Sequence, residues 1–452
     1  MAMRAARFLP LLVPALASAV SAQDILPRSI DMFRGTRPAR LKIAITGPSR
    51  IESPGYAIRA RKVLPVTVAP IDDGMVLCQD GKILAVGRWD ESKVPAGFTK
   101  VDMGEAWLVP GFVDLHCHIA ANGFDLNDTV HQTNPEFRTV DLVSLDHEDI
   151  RNAVAGGVTC VNYIPGSGSN MGGFGTLTKT GGRSPVEALV RFPGCLKIAQ
   201  AGNPERGAGD LGAGRMGMNE GLRATLMRGK RYHEIWEEFE AGRRKEKPEF
   251  RADLHYLRGL FLYEYPIGVH SQIYQVVLQT LRQLRQEMNL WTVIIHGEFG
   301  GQRLSGELLK AGLPIACGPR QYDFDYVTGR VVGLHEAYYR GGDHGWFRPV
   351  PGVGRDGIGV NTDSPVVPQE ELPLQCAMAV RLGLPDDVGL RGLTINPARF
   401  FGIDERVGSL EAGKDADLVA WTGDPIDPRS YVQKVWINGQ IVYDPTKERR
   451  RF

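Results

Sequence analysis

A chain of 452 residues is long enough to bury a large core, so a single small fold is excluded. With 53 basic residues against 52 acidic ones the formal charge is +1, and no overall field favours nucleic acid or an anionic membrane. A small neutral or zwitterionic molecule stays open as the substrate, and so does self-association into a homo-oligomer.

In chain order, the N-terminus carries Arg4 and Arg7, an apolar run from Phe8 to Val20 and small residues ending at Ala22. That pattern predicts a secretory signal over residues 1–22 and an exported protein, periplasmic or extracellular. The run is shorter than the roughly 20 residues a membrane span needs, and no later stretch is apolar enough to supply one. Residues 23–54 are polar with scattered prolines and read as an exposed lead-in. The six cysteines, Cys78, Cys117, Cys160, Cys195, Cys317 and Cys376, lie mostly within apolar runs and read as small buried hydrophobes. There is no Cys-x-x-Cys, hence no signal for a cysteine zinc cluster or a redox pair.

Residues 55–108 carry short alternating runs, Ala57–Ala60, Met75–Cys78 and Lys82–Val86, with a hairpin signal at Asp80-Gly81 between the last two. They amount to half a small β-domain. From 109 to about 400 apolar strands alternate with helical stretches. The strands are Val109–Cys117, Val158–Ile164, Leu196–Ala199, Trp291–His296, Pro314–Cys317 and Gly357–Asp363. The helical stretches include Asp146–Gly156, Met216–Arg258 with a break near Pro248, and one whose apolar face is Ile273, Val276, Val277, Leu281, Leu284 and Met288. Alternation of this kind predicts parallel pairing, and its length suits a (β/α)8 barrel. The Gly-rich run Gly166–Gly182 misses the dinucleotide spacing and lacks Gly-Lys-Ser/Thr, so it reads as a mobile loop over a site rather than a phosphate cradle. Residues 401–452 return to short strands around the hairpin signal Asn438-Gly439. Neither terminal β-segment is large enough alone, so the two are expected to combine into one small β-sandwich beside the barrel. The fold class is therefore α/β, a TIM barrel with a β-sandwich built from both ends.

Ligand-type side chains sit where barrel active sites form. In an extended strand His116 and His118 point to one face, and two imidazoles on one rigid strand are half of a metal ligand shell. His270 and His296 likewise end apolar strands, and Asp363 ends the last one. Of the other six histidines, His131 lies in a polar loop, His233 and His255 fall on charged helical stretches, His147 at a helix start, and His335 and His344 in a polar excursion. Lys197 lies on a strand of the same series. An ammonium has no lone pair, so it is either an internal ion-pair partner or, as a carbamate, a bidentate bridge between cations. Arg138, Tyr163, Arg320 and Tyr322 stand on strand-end loops and are candidates to receive a substrate carboxylate or amide.

In these residues the chain resembles the metal-dependent amidohydrolase superfamily, in the branch of imidazolonepropionases and Xaa-Pro and Xaa-Arg dipeptidases. The resemblance runs from Gly81-Lys82-Ile83 through Pro110–His118 to Gly408–Leu418. It implies one or two divalent ions, zinc foremost. His116, His118 and Asp363 would hold the first, His270 and His296 the second, with Lys197 bridging as its carbamate. It also implies hydrolysis of an amide, peptide or cyclic amide C–N bond, with Asp363 as general acid and base. The run after Lys197-Ile198 is Ala199-Gln200-Ala201-Gly202 where dipeptidase-like members have Ala-Thr-Gly-Gly one residue later. Single-metal deaminases carry a glutamate three residues beyond the His270 position, and Ile273 stands there, which argues against deamination. A single-metal hydrolase or deaminase and a catalytically inactive ligand-binding homologue remain the alternatives.

Overall fold

The computed structural model describes residues 42–120, 126–129, 131–200, 203–205, 214–299, 301–318, 322–325, 330–333, 357–381 and 384–451. The proposed signal and most of the lead-in lie outside them. The first strands are β1 (Ile45–Thr46), β2 (Tyr56–Val63), β3 (Ile71–Gln79), β4 (Lys82–Arg88), β5 (Thr99–Asp102) and β6 (Trp107–Pro110). Next come β7 (Phe112–Cys117), β8 (Val158–Tyr163), β9 (Met171–Phe174), β10 (Thr176–Lys179), β11 (Leu189–Phe192) and β12 (Leu196–Ala199). They are followed by β13 (Ile267–Ile273), β14 (Thr292–Phe299), β15 (Ile315–Cys317), β16 (Tyr322–Asp325), β17 (Arg330–Gly333) and β18 (Ile358–Val360). The last are β19 (Leu418–Trp421), β20 (Val432–Ile437) and β21 (Gln440–Tyr443).

The two terminal segments do combine, in one eight-stranded sheet of order β21-β20-β19-β6-β2-β3-β4 with β5 beside β2. Its hairpins turn at the pairs the sequence marks. Asp80 and Gly81, and Asn438 and Gly439, all have positive φ, as a type I′ turn demands. Ile58, Val76, Leu108, Leu418 and Trp436 form an apolar cluster on this sheet.

The central strands pair in a circuit. β12, β13, β14, β15 and β18 are parallel neighbours, as are β7 and β8. The end of β18 meets β7 through a parallel bridge between Cys117 and Ser364, and His118 N–H donates to Ser364 O at 2.8 Å. Between β8 and β12, however, stands an antiparallel ribbon, β10 pairing with β8 and β9 with β12. This departs from the purely parallel expectation. Parallel strands need a crossover of about a dozen residues or more, and Ile164–Asn170 is too short to provide one. The Gly-rich run is thus not a mobile loop but a buried wall. Residues 131–138 lie over it through backbone bonds, Met171 N to Gln132 O (2.9 Å), Asn134 N to Met171 O (2.9 Å) and Phe174 N to Phe137 O (2.8 Å).

The helical stretches appear where periodicity places them. They are Glu148–Ala155, Arg215–Glu240, Ala252–His255, Leu257–Phe261 and Tyr274–Thr280, the last running on over Leu281–Glu287. His147 caps the first, accepting from Asp149 N. All six cysteines are buried and free of disulfides. Among the described residues no helix is long and apolar enough to cross a membrane.

The described end of the lead-in is not simply exposed. Ile43, Ala44, Ile51 and Ser53 are buried, and Thr46 pairs with Arg191 of β11. The Glu264 carboxylate accepts the backbone N–H of Lys42 (2.5 Å), Ile43 (2.9 Å) and Ala44 (2.7 Å), which holds the segment down. A second buried cluster joins the central strands to the terminal sheet. Lys179 pairs with Asp417 and Asp415, and Asp415 also takes Lys82 (2.7 Å) and Arg406 (2.9 Å).

Two outcomes follow for stability. Lys179→Met leaves two buried carboxylates short of a cation and is expected to lower unfolding free energy by about 3–5 kcal/mol in guanidinium titration. Glu264→Ala should free residues 42–46, so limited proteolysis cuts before Gly47 in the variant and not in the wild type.

Candidate metal centre and active site

Five side chains expected to act together do meet. Nε2 of His116 lies 2.9 Å and Nε2 of His118 3.3 Å from Oδ1 of Asp363, while Nε2 of His296 lies 3.9 Å from Oδ2. The rings of His116 and His296 are 4.8 Å apart between centroids, those of His270 and His296 4.5 Å. Potential ligand atoms fall into two groups, His116–His118–Asp363 and His116–His270–His296, each with all atoms within 4.8 Å of one another.

The strands explain this convergence. His116 ends β7, and the two-residue period brings His118 to the same side. His270 lies in β13 and His296 in β14, offset by one residue in register, Ser271 standing opposite His296. Asp363 follows β18, which closes on β7. Three rings are fixed by their other nitrogen. Nδ1 of His118 meets Ile164 O at 2.8 Å, Nδ1 of His296 meets Gly318 O at 2.5 Å, and Nδ1 of His270 meets Ser167 Oγ at 3.1 Å.

Protonation follows from burial. Desolvation drives His116 and His270 well below the ordinary imidazole range, so both are neutral and carry a lone pair. Burial works to raise Asp363, but the neighbouring His116 and His118 overcome it and hold the carboxyl well below the usual range. Nδ1 of His116 and Nε2 of His270 are buried without a hydrogen bond. Buried polar atoms are nearly always satisfied, so such a set is a lone-pair array suited to a divalent cation. Lys197 is fully buried in β12, its Nζ 3.2 Å from Pro165 O, and burial pulls its pKa down to about 8.

Arg138 and Tyr163 are placed among other partners. Arg138 is committed to Asp141 (2.9 Å) and Tyr256 (3.1 Å), because a carboxylate three residues on is within reach of its guanidinium. Tyr163 is buried in an apolar cluster with Phe112 and Val161, where alternation along β8 leaves it. Neither touches the centre through any described contact. Arg320 lies outside the described residues, and Tyr322 opens β16. His233 and His255 sit among aromatic rings, His233 stacked on Phe261 and His255 against Trp236.

Sequence reasoning missed Asp114. Its buried carboxylate accepts His116 N (3.0 Å), Thr362 N (3.0 Å), Thr362 Oγ1 (2.7 Å) and Gln369 Nε2 (2.7 Å), and burial raises its pKa to about 6. The same two-residue period that pairs His116 with His118 would have pointed to it. Gly318 was also missed. At φ 136° it approaches Asn361 so closely that a Cβ would lie 2.2 Å from the carbonyl oxygen.

Comparison with known proteins agrees with this arrangement. The pattern described as the amidohydrolase family matches residues 356–442. Amidohydrolase tasK of Hapsidospora irregularis is 26% identical over 410 residues, an alignment covering 82% of this chain and 40% of that protein. The chain thus spans well under half of that relative. An imidazolonepropionase of Thermoplasma acidophilum is 25% identical over 403 residues, covering 83% of this chain and 87% of the other. The crystal structure of an amidohydrolase from Thermotoga maritima MSB8 superposes with a TM-score of 0.75 at 29% identity, covering 86% of this chain and 100% of that one. A mixed α/β chain with imidazoles and a carboxylate gathered at strand ends is the class so defined. In sequence and in fold the chain is similar to members of the amidohydrolase superfamily.

Asp114→Ala strands three or four buried donors, each worth about 1–3 kcal/mol when unsatisfied. The variant is expected to melt at least several degrees lower than wild type in calorimetry, in metal-free protein as well as loaded protein.

Proposed function

We propose that this chain is a metal-dependent hydrolase of a carbon–nitrogen bond, in an amide, peptide or cyclic amide. The observation that carries the proposal is the meeting of four imidazoles and one carboxylate at a single centre. The circuit of strand pairing supports reading the scaffold as a (β/α)8-type barrel with one position taken by the β9–β10 ribbon. The apolar cluster on the terminal sheet supports reading that sheet as the β-sandwich. The pattern of residues 1–22 supports export.

In this reading His116, His118 and Asp363 hold one ion, zinc foremost, and His270 and His296 a second, with Lys197 bridging as its carbamate. A divalent ion supplies Lewis acidity, polarising a carbonyl and making water nucleophilic near neutral pH. Everything else falls to the chain. His116 and His270, kept neutral by burial, offer lone pairs without competing protons. A lysine with a pKa of about 8 has a substantial neutral fraction, and the neutral amine is the form that combines with carbon dioxide, releasing a proton. Asp363, ionised and with its side chain 16% exposed, takes a proton from the attacking water and delivers it to the departing nitrogen.

One observation favours a single-ion form. His116 belongs to both donor groups, and Lys197 already has a hydrogen-bond acceptor in Pro165 O. Metal analysis separates the readings: two ions per chain support the bridge, and one supports a single-metal hydrolase. Ile273 argues against a deaminase in either form. No ion, with no chelator-sensitive turnover, supports a ligand-binding homologue.

Turnover of a panel of N-acyl amino acids, dipeptides and lactams is expected to vanish on chelation and return with zinc. Asp363→Asn is expected to lower kcat about 100- to 10,000-fold. A variant that keeps its metal and its full rate excludes the proton-transfer role.

A further inference from the structure

The imidazoles at the centre differ in what holds their second nitrogen. His118 and His296 each face a backbone carbonyl oxygen through Nδ1, Ile164 O and Gly318 O respectively. A carbonyl only accepts, so Nδ1 carries the proton in both rings and Nε2 is left as the lone-pair atom. Nδ1 of His116 makes no hydrogen bond. His270 is different again. Its Nδ1 lies 3.1 Å from Oγ of Ser167, a hydroxyl that accepts or donates with equal ease, while its Nε2 is buried and without a hydrogen bond.

Ser167 is held firmly by its surroundings. It belongs to the run Pro165–Asn170, which touches the centre at three points. Pro165 O receives Lys197 Nζ at 3.2 Å, Ser167 meets His270, and Asn170 clasps Ala199 from both sides. In that clasp Asn170 Nδ2 donates to Ala199 O at 2.7 Å, and Ala199 N donates to Asn170 O at 2.9 Å. Ala199 stands opposite His270 in the β12–β13 register, so the clasp places Ser167 against that strand. From the other side Asn127 Oδ1 accepts Gly168 N at 3.0 Å. A Cβ at position 166 or 168 would lie 2.1 or 2.8 Å from that same oxygen. Glycine on either side of Ser167 is therefore what lets the run lie close beneath Asn127. The Gly-Ser-Gly pattern, which has no phosphate spacing, is accounted for by this packing.

We propose that Ser167 is a positioning residue that holds the His270 ring with Nε2 turned to the centre and accepts from Nδ1–H when Nε2 binds an ion. The inference rests on the metal reading given above. With Ser167 accepting from Nδ1–H, the lone pair of His270 is on Nε2, alongside His116 and His296. Without the hydroxyl no described contact holds Nδ1, and the ring loses the bond that keeps Nε2 turned to the cation.

The test combines metal-binding titrations against a competing chelator with 15N NMR of histidine-labelled protein. Ser167→Ala is expected to weaken one bound zinc about 10- to 100-fold and to shift the His270 Nδ1 signal as its hydrogen bond is lost, while any zinc held without His270 is unchanged. Ser167→Thr keeps the hydroxyl and is expected to restore both readouts. His270→Ala is the reference. If it leaves zinc uptake as in wild type, the metal reading of His270 falls and this assignment with it. If it loses an ion that Ser167→Ala retains at wild-type affinity, the assignment alone is overturned. A role in packing only would lower the melting temperature of metal-free Ser167→Ala and leave zinc affinity and ring signals unmoved, which also overturns it.

Discussion

The Asp114 carboxylate ties together two stretches of chain 248 residues apart. One is β7, which carries His116 and leads into His118. The other is the turn after β18, which carries Asp363. Among the described pairings these stretches share no strand ladder, only the bridge between Cys117 and Ser364. Four donors converging on one buried carboxylate fix their separation, and with it the approach of two imidazoles to Asp363. A buried carboxylate is unfavourable unless its oxygens are fully used, and here they are. The consequence is geometric: ligand atoms drawn from opposite ends of the sequence are held at a few ångströms without any of them supplying the force that holds them.

The same logic operates at the junction with the terminal sheet. Lys179 ends β10, and its partners Asp415 and Asp417 arrive from the segment leading into β19. Asp417 also accepts Asn438 N at 2.9 Å, so the carboxylate that neutralises the lysine also steadies the β20–β21 turn. A cluster of three cations and two carboxylates is costly to bury and strongly directional once buried. It allows the two ends of the chain to settle on the central strands in one arrangement, where apolar contact alone is tolerant of sliding.

Much of this was legible in the sequence, for a definite reason. His116, His270, His296 and Asp363 each follow an apolar run, and strand ends of an α/β alternation converge, so their meeting could be inferred from order alone. The hairpins at Asp80-Gly81 and Asn438-Gly439 carry their own conformational mark. What escaped depends on partners with no local mark. Met171–Lys179 has too many glycines for a period-two pattern, and it becomes strand because residues 131–138 lie over it. Ile43 and Ala44 look like part of a polar lead-in until Glu264, more than 200 residues away, takes their N–H groups. The groups that orient the imidazoles are two carbonyls and a serine in a Gly-rich run, and a backbone carbonyl has no signature in a sequence.

Local strain is placed where the ligand atoms are. His296 has φ 78° and Asp363 φ 51°, left-handed values that a non-glycine residue adopts at a cost of about 1–3 kcal/mol each. Both conformations are maintained by neighbours rather than by preference. His296 is followed by Gly297, itself at φ 85°, and its ring is held to Gly318 O. Asp363 is gripped on one side by Thr362, bonded to Asp114, and on the other by Ser364, bonded to His118. In an unstrained strand the side chain at 296 would continue the alternation of β14, and the turn at 363 would not fold its carboxylate back over β7. The energy stored in these two residues is thus what converts parallel strand ends into a compact set of donors, and the buried hydrogen bonds around them are large enough to keep it stored.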